Sequence, residues 1–125
     1  MILDTNALSA VAEAEPAAVA ALQSARIVAI PVIVLGEYRY GISLSRHSTE
    51  YESWLGKNLP FCRVLDITAA TAAEYARIRV ELRRAGTPIP SNDSWIAALS
   101  RQYNFPLLSR DGHFDMVKGV QRLSW

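Results

Sequence analysis

The sequence predicts an α/β protein, with a central and mainly parallel sheet of four to five strands covered on both faces by helices. Three observations lead there. Short runs of Ile, Leu and Val alternate with longer segments of helical periodicity, the pattern of strand–helix–strand units. The chain has 125 residues, one domain's worth, enough to bury a core without staples. Hydrophobic residues are 50% and charged residues 20%, with 13 basic against 12 acidic, as in an ordinary globular domain.

The elements follow in order. Residues 1 to 4 are a short apolar strand that ends in Asp4. Residues 8 to 24 are alanine-rich and helical, broken at Pro16, with Ala18, Val19 and Leu22 at helical spacing. Ile27 to Ile30 is a β-branched run and reads as strand two. Pro31 suits the first turn of a helix running to about Ser45, with Val34, Leu35, Tyr38 and Ile42 as its apolar stripe. Ser48 to Asn58 is the next helix, with Tyr51, Trp54 and Leu55 on its apolar face.

Cys62 to Leu65 is strand three. Thr71-Ala-Ala-Glu74 matches a capping box, with Thr68 as the alternative cap, and Tyr75, Ile78 and Leu82 turn inward. Gly86 followed by Pro88 stops this helix. Ser91 or Asn92 then caps a helix through Leu99, which puts Asp93 in its first turn, where the helix dipole favours a carboxylate. Pro106 to Ser109 is strand four, followed by Asp111, and Val120 to Ser124 is a short final strand. No repeat, low-complexity segment or linker interrupts residues 1–125.

Other classes are disfavoured. The longest apolar run, Ile27 to Leu35, is interrupted by Pro31 and falls well short of the roughly 20 residues of a membrane span. No basic-then-apolar leader precedes the first strand, and the lone Cys62 fits a reducing compartment, so a cytoplasmic protein is expected. His47 and His113 are far apart and lack zinc-type spacing.

Asp4 ends a strand just before a helix, where open α/β sheets place their ligands. An alternative is that Asp4-Thr5-Asn6 simply caps the next helix. Glu37 has only uncharged helical neighbours, Ile33 and Val34 before it and Tyr40 and Gly41 after; it faces either a partner or solvent beside Arg39. Right-handed crossovers put the ends of strands one and four on one edge, so Asp4 and Asp111 meet there, and Glu37 and Asp93 lie on helices starting from it. Carboxylates gathered in one pocket stay ionised only around a cation. An all-oxygen set suits Mg²⁺ or Mn²⁺, and the chemistry implied is metal-assisted phosphodiester hydrolysis. A metal-dependent phosphohydrolase of small phosphate esters and a catalytically silent binding module are the rival readings.

Four segments together resemble the PIN-domain ribonucleases, and among them the VapC toxins of toxin–antitoxin pairs. They are Ile2-Leu-Asp4-Thr-Asn6, Val34-Leu-Gly-Glu37, Asn92-Asp93-Ser-Trp-Ile-Ala-Ala98 and Leu108-Ser-Arg-Asp111-Gly-His-Phe114. The resemblance covers essentially the whole chain as a single PIN domain. It implies a three-layer α/β/α sandwich and a Mg²⁺-dependent endoribonuclease acting on tRNA, rRNA or mRNA. It also implies a VapB-type antitoxin, with a homodimer or a toxin–antitoxin hetero-oligomer. Asp4, Glu37, Asp93 and Asp111 match the family's acidic positions one by one. Asp4 and Asp93 would bind the metal directly; Glu37 and Asp111 would bind it through water, or orient the nucleophilic water and a second metal.

The chain departs from the pattern in two places. Ile89-Pro90 stands where the family often has Gly, and the fourth acid is often Asn or Thr, so Asp115 is an alternative to Asp111. Asn6 and Ser109 match polar positions beside the site, and helix cap or strand-end turn is their other reading. Arg39, Arg46, Arg83, Arg84, Arg110 and Lys118 are candidate RNA contacts, while no aromatic stacking platform is evident. Tyr38, Tyr40, Ile42, Leu44, Tyr51, Trp54 and Leu55 exceed what two helices need to dock on a sheet, and a part of them is expected to line a groove for an antitoxin helix.

Overall fold

The computed structural model describes residues 1–125. Its strands are β1 (Ile2–Leu3), β2 (Ala29–Pro31), β3 (Arg63–Leu65), β4 (Leu107–Leu108) and β5 (Arg122–Leu123). Its helices are α1 (Thr5–Ala12), α2 (Pro16–Leu22), α3 (Val32–Ser43), α4 (Ser48–Asn58), α5 (Ala69–Ala85) and α6 (Ser91–Tyr103). Short 3₁₀ turns cover Leu59–Phe61 and Gly112–Met116.

All strand pairs are parallel, in the order β3-β2-β1-β4-β5. Ile2 lies opposite both Ala29 and Leu107. From β1 the chain builds outward through β2 to β3, then returns to place β4 and β5 on the other side of β1. The order therefore reverses between β1 and β4, and such a switch point opens a crevice at the carboxyl ends of the strands. The central strands are buried on both faces: Ile2, Leu3, Leu107 and Leu108 are fully enclosed, with Leu8, Ile78, Leu99 and Phe114 in the same cluster.

The expected α/β architecture is present, and local differences have local causes. Ala14 adopts a left-handed φ of 56° between α1 and α2, so the alanine-rich segment breaks just ahead of Pro16, which opens α2. Val19 turns outward while Ala18 is buried. Strand two is shifted: Pro31 closes β2 and precedes α3 rather than joining its first turn, and α3 ends at Ser43 rather than Ser45. The cap of α5 is Thr68, not Thr71. Thr71 sits buried one turn inside, accepting the Thr68 N–H at 3.1 Å and donating its hydroxyl to Gln102 of α6. Gly86 ends α5 in the left-handed conformation with φ 72°, as its position predicts. Pro90 precedes α6, so Ser91 and Asn92 lie inside the helix rather than capping it, and Asp93 keeps its first-turn place.

The core claims Tyr38, Ile42 and Leu55; Tyr51 and Trp54 are half-buried against it. Tyr40 and Leu44 remain 70% and 74% exposed on the outer face of α3. Trp54 lines an apolar cleft of about 150 Å³ with Leu22, Leu59 and Phe61, and Phe61 is itself 86% exposed. No helix is long and apolar enough to cross a membrane.

Candidate metal centre

Asp4 follows β1 directly at the switch point. Its carboxylate accepts the Ala7 N–H at 2.8 Å, capping α1. The cap reading of Asp4 therefore holds, and it occupies one of the two carboxylate oxygens. Asp4 is only 6% exposed. Burial pushes its carboxyl above the usual range; the Ser109 hydroxyl and the Ala7 N–H pull it back, and the charges of Asp111 and Glu37 push it up again.

Glu37 does not point to solvent with Arg39. One of its carboxylate oxygens accepts the Thr5 hydroxyl at 2.6 Å, and the other accepts the Asn92 side-chain amide in a short contact. Arg39 turns away to form an ion pair with Glu52 of α4 at 2.8 Å. Glu37 on α3 is therefore tied to the first residue of α1 and to the first turn of α6. Both oxygens are oriented by neutral donors, which fixes the carboxylate without cancelling its charge.

Asp93 occupies the first turn of α6 and is half-buried. Burial raises its carboxyl, the charges of Asp111 and Asp4 raise it further, and His113 opposes them. Asp111 follows β4 and accepts the His113 N–H at 2.9 Å, capping the 3₁₀ turn. Its own N–H donates to the hydroxyl of buried Ser109 at 2.9 Å. Asp4, Glu37, Asp93 and Asp111 are thus brought to one edge by α1, α3, α6 and the β4 loop.

The remaining sequence candidates separate. Asp115 is held in an exposed bidentate pair with Arg122, both contacts at 2.8 Å, which keeps its carboxyl below the usual range. Asn6 is exposed in the first turn of α1. His113 is the residue that sequence spacing missed. Its Nδ1 stands 3.1 Å from Asp111 and 3.4 Å from Asp93. Asp93, Asp111 and His113 each offer one ligand atom, all within 4.8 Å of one another, a grouping able to hold a metal ion. Only the turn after Asp111 could have flagged His113, since it lies two positions beyond a candidate ligand.

A parallel sheet whose switch point gathers carboxylates and one imidazole defines an α/β protein with an acidic cluster at its carboxyl edge. The profile of the PIN domain matches residues 1–120, and the chain belongs to the PIN domain family. Ribonuclease VapC2 of Rickettsia felis is 32% identical over 84 residues, 67% of this chain and 63% of that protein. The matched stretch therefore spans less than two-thirds of that relative. Ribonuclease VapC5 of Mycobacterium tuberculosis is 28% identical over 96 residues, 74% of this chain and 70% of that protein. Among solved structures, VapBC2 from Rickettsia felis bound to a promoter DNA fragment superposes with a TM-score of 0.86 at 26% identity, covering 99% of this chain and 97% of that one. FitAcB from Neisseria gonorrhoeae gives 0.83 at 28% identity, covering 98% and 95%. The resemblance drawn from four short segments is borne out at the level of family and fold.

Proposed function

We propose that this PIN domain is a metal-dependent endoribonuclease toxin of the VapC kind, silenced by a VapB-type antitoxin. One observation carries the reading: Asp4, Glu37, Asp93 and Asp111 converge on the switch point although they lie far apart in sequence. Matches to VapC ribonucleases and to VapBC complexes support it.

The donor set fits a hard divalent cation. Carboxylate oxygens dominate it, and like charges that raise each other's proton affinity call for a cation among them. Mg²⁺ is the ion proposed, with Mn²⁺ as the one that best tolerates His113. Asp4 and Asp93 would hold it directly, with Glu37 and Asp111 acting through water. When bound, such an ion neutralises the phosphate and makes water a better nucleophile.

The chain's own groups do the orienting. The Ala7 N–H fixes Asp4, Thr5 and Asn92 fix Glu37, and the His113 N–H fixes Asp111. Glu37, held at both oxygens, would accept a proton from the attacking water. In-line attack on phosphorus with cleavage of the P–O3′ bond leaves a 5′-phosphate and a 3′-hydroxyl. A structured RNA with an unpaired loop, as in tRNA or rRNA, is the proposed substrate, which would place the protein in the cytoplasm. The apolar cleft at Trp54, Leu22 and Phe61 is the proposed seat of the antitoxin helix, in a homodimeric toxin or a hetero-oligomer.

The test is cleavage of cellular RNA by purified protein with Mg²⁺, with Mn²⁺ and with excess chelator. Cleavage only with metal is expected, and Asp93→Asn should abolish it. Hydrolysis of a generic phosphomonoester without RNA cleavage would favour the small-ester reading instead.

A further inference from the structure

The arginines of the surface do not behave alike. Arg39 is paired with Glu52, and Arg110 with Glu15. Arg77 and Arg101 pair with acids on α5, and Arg122 with Asp115. On the same helix, Arg79 and Arg83 make no ion pair with any acid. They stand one helical turn apart and share a cleft of about 350 Å³ with Val80, Leu82, Pro88 and Ile89. Two guanidinium groups without counter-charges, side by side in a concavity, form a receptor for anionic oxygen.

The cleft is joined to the acidic centre by a short chain of contacts. Arg79 donates to the Tyr75 hydroxyl at 2.9 Å, and that hydroxyl lies 3.0 Å from the Ser91 hydroxyl. Ser91 opens α6, where Asn92 holds Glu37 and Asp93 sits one residue further on. The Tyr75 ring is stacked on Trp95 of α6, with centroids 3.8 Å apart, which braces α5 against the helix that carries Asp93. Pro88 and Ile89 line the cleft immediately before that helix begins. Hydrogen bonds thus run from Arg79 through Tyr75 to Ser91, two residues before Asp93, and Arg83 lines the same cleft as Arg79.

We infer that the Arg79–Arg83 cleft binds the phosphodiester backbone of the RNA strand next to the scissile bond, with Tyr75 as the positioning residue for Arg79. The inference rests on the ribonuclease reading above and adds to it where the strand leaves the centre. A backbone contact of this kind holds register without reading sequence.

The test is binding of a labelled single-stranded oligoribonucleotide to the full chain in excess chelator, over a series of salt concentrations. Each phosphate neutralised in single-stranded nucleic acid contributes about 0.7 to the log–log salt slope, so Arg79→Gln with Arg83→Gln should lower the slope by about 1.4 and weaken binding roughly tenfold or more. In cleavage assays with metal the same variant should raise KM and leave kcat near wild type. Arg79→Lys with Arg83→Lys should keep the slope, and Arg26→Gln, an unpaired arginine before β2, should change neither quantity. Far-ultraviolet circular dichroism checks that each variant is folded. A slope unchanged in the folded glutamine variant, while wild type binds and cleaves RNA, overturns the cleft alone. A wild type that neither binds nor cleaves RNA overturns the ribonuclease reading and the cleft with it.

Discussion

Replacing Asp4 by asparagine and by alanine separates the two jobs its side chain performs. As the cap of α1, its carboxylate accepts the Ala7 N–H at 2.8 Å. As a buried acid at the switch point, it suffers desolvation and the charges of Asp111 and Glu37. Asparagine keeps the cap and removes the charge; alanine removes both. Loss of an N-cap costs about 1 kcal/mol, which at this chain length is roughly 4 °C in melting temperature. In chelator at neutral pH, Asp4→Asn should therefore melt at or above wild type, and Asp4→Ala about 4 °C below Asp4→Asn. The pH dependence has a definite sign. Because the folded carboxyl titrates above its ordinary value of 3.8, its protonated form is the one the fold prefers. The wild type should lose stability relative to Asp4→Asn as pH rises from about that value through the raised folded one. Metal reverses the comparison. With a divalent ion at a hundred times its dissociation constant, wild type should gain about 2.7 kcal/mol, near 10 °C, and Asp4→Asn much less. Thermal melts with and without Mg²⁺ decide the matter. An Asp4→Asn protein that melts well below wild type in chelator would refute the claim that this carboxylate is held at an energetic cost.

Other outcomes follow from single contacts. Thr5→Val keeps the shape of the first residue of α1 but removes the 2.6 Å hydroxyl contact to Glu37, so kcat for RNA cleavage should fall roughly tenfold with KM little changed. Asp115→Asn should keep activity, since Arg122 holds that carboxylate, while Asp111→Asn should lose most of it; parallel cleavage assays compare the two. Tyr38→Phe removes a buried hydroxyl that has no hydrogen-bond partner, and should leave the melting temperature equal or raised. Charged substitutions at Trp54 should weaken binding to a VapB-type helix, measured by calorimetry, while RNA cleavage persists.

The layer architecture was legible because strand runs such as Ile2-Leu3 and Leu107-Leu108 are apolar on both sides, which only a covered parallel sheet requires. Gly86 was legible as a helix stop for a conformational reason that travels with the residue. Thr71 misled because two threonines three apart both satisfy a capping pattern, and only the contact with Gln102 on another helix decides between them. The gathering of Asp4, Asp93 and Asp111 at one edge was legible because carboxylates at strand ends and helix starts are placed by topology. His113 was missed because its role depends on a tight turn that folds its ring back over Asp111 and Asp93. The orientation of Glu37 was equally hidden: nothing local reveals donors from residues 5 and 92. The Tyr75–Trp95 stack escaped for the same reason, being a contact between helices α5 and α6; its ring faces serve helix packing rather than an open platform.

The most direct measurement is end-mapping of RNA cut by the purified chain, with and without excess chelator, for wild type and for Asp93→Asn. Cuts bearing 5′-phosphate and 3′-hydroxyl ends, present only for wild type with metal, are the expected result. Cuts that persist in chelator or in Asp93→Asn, or that end in 2′,3′-cyclic phosphate, would contradict a carboxylate-held metal as the centre of the chemistry.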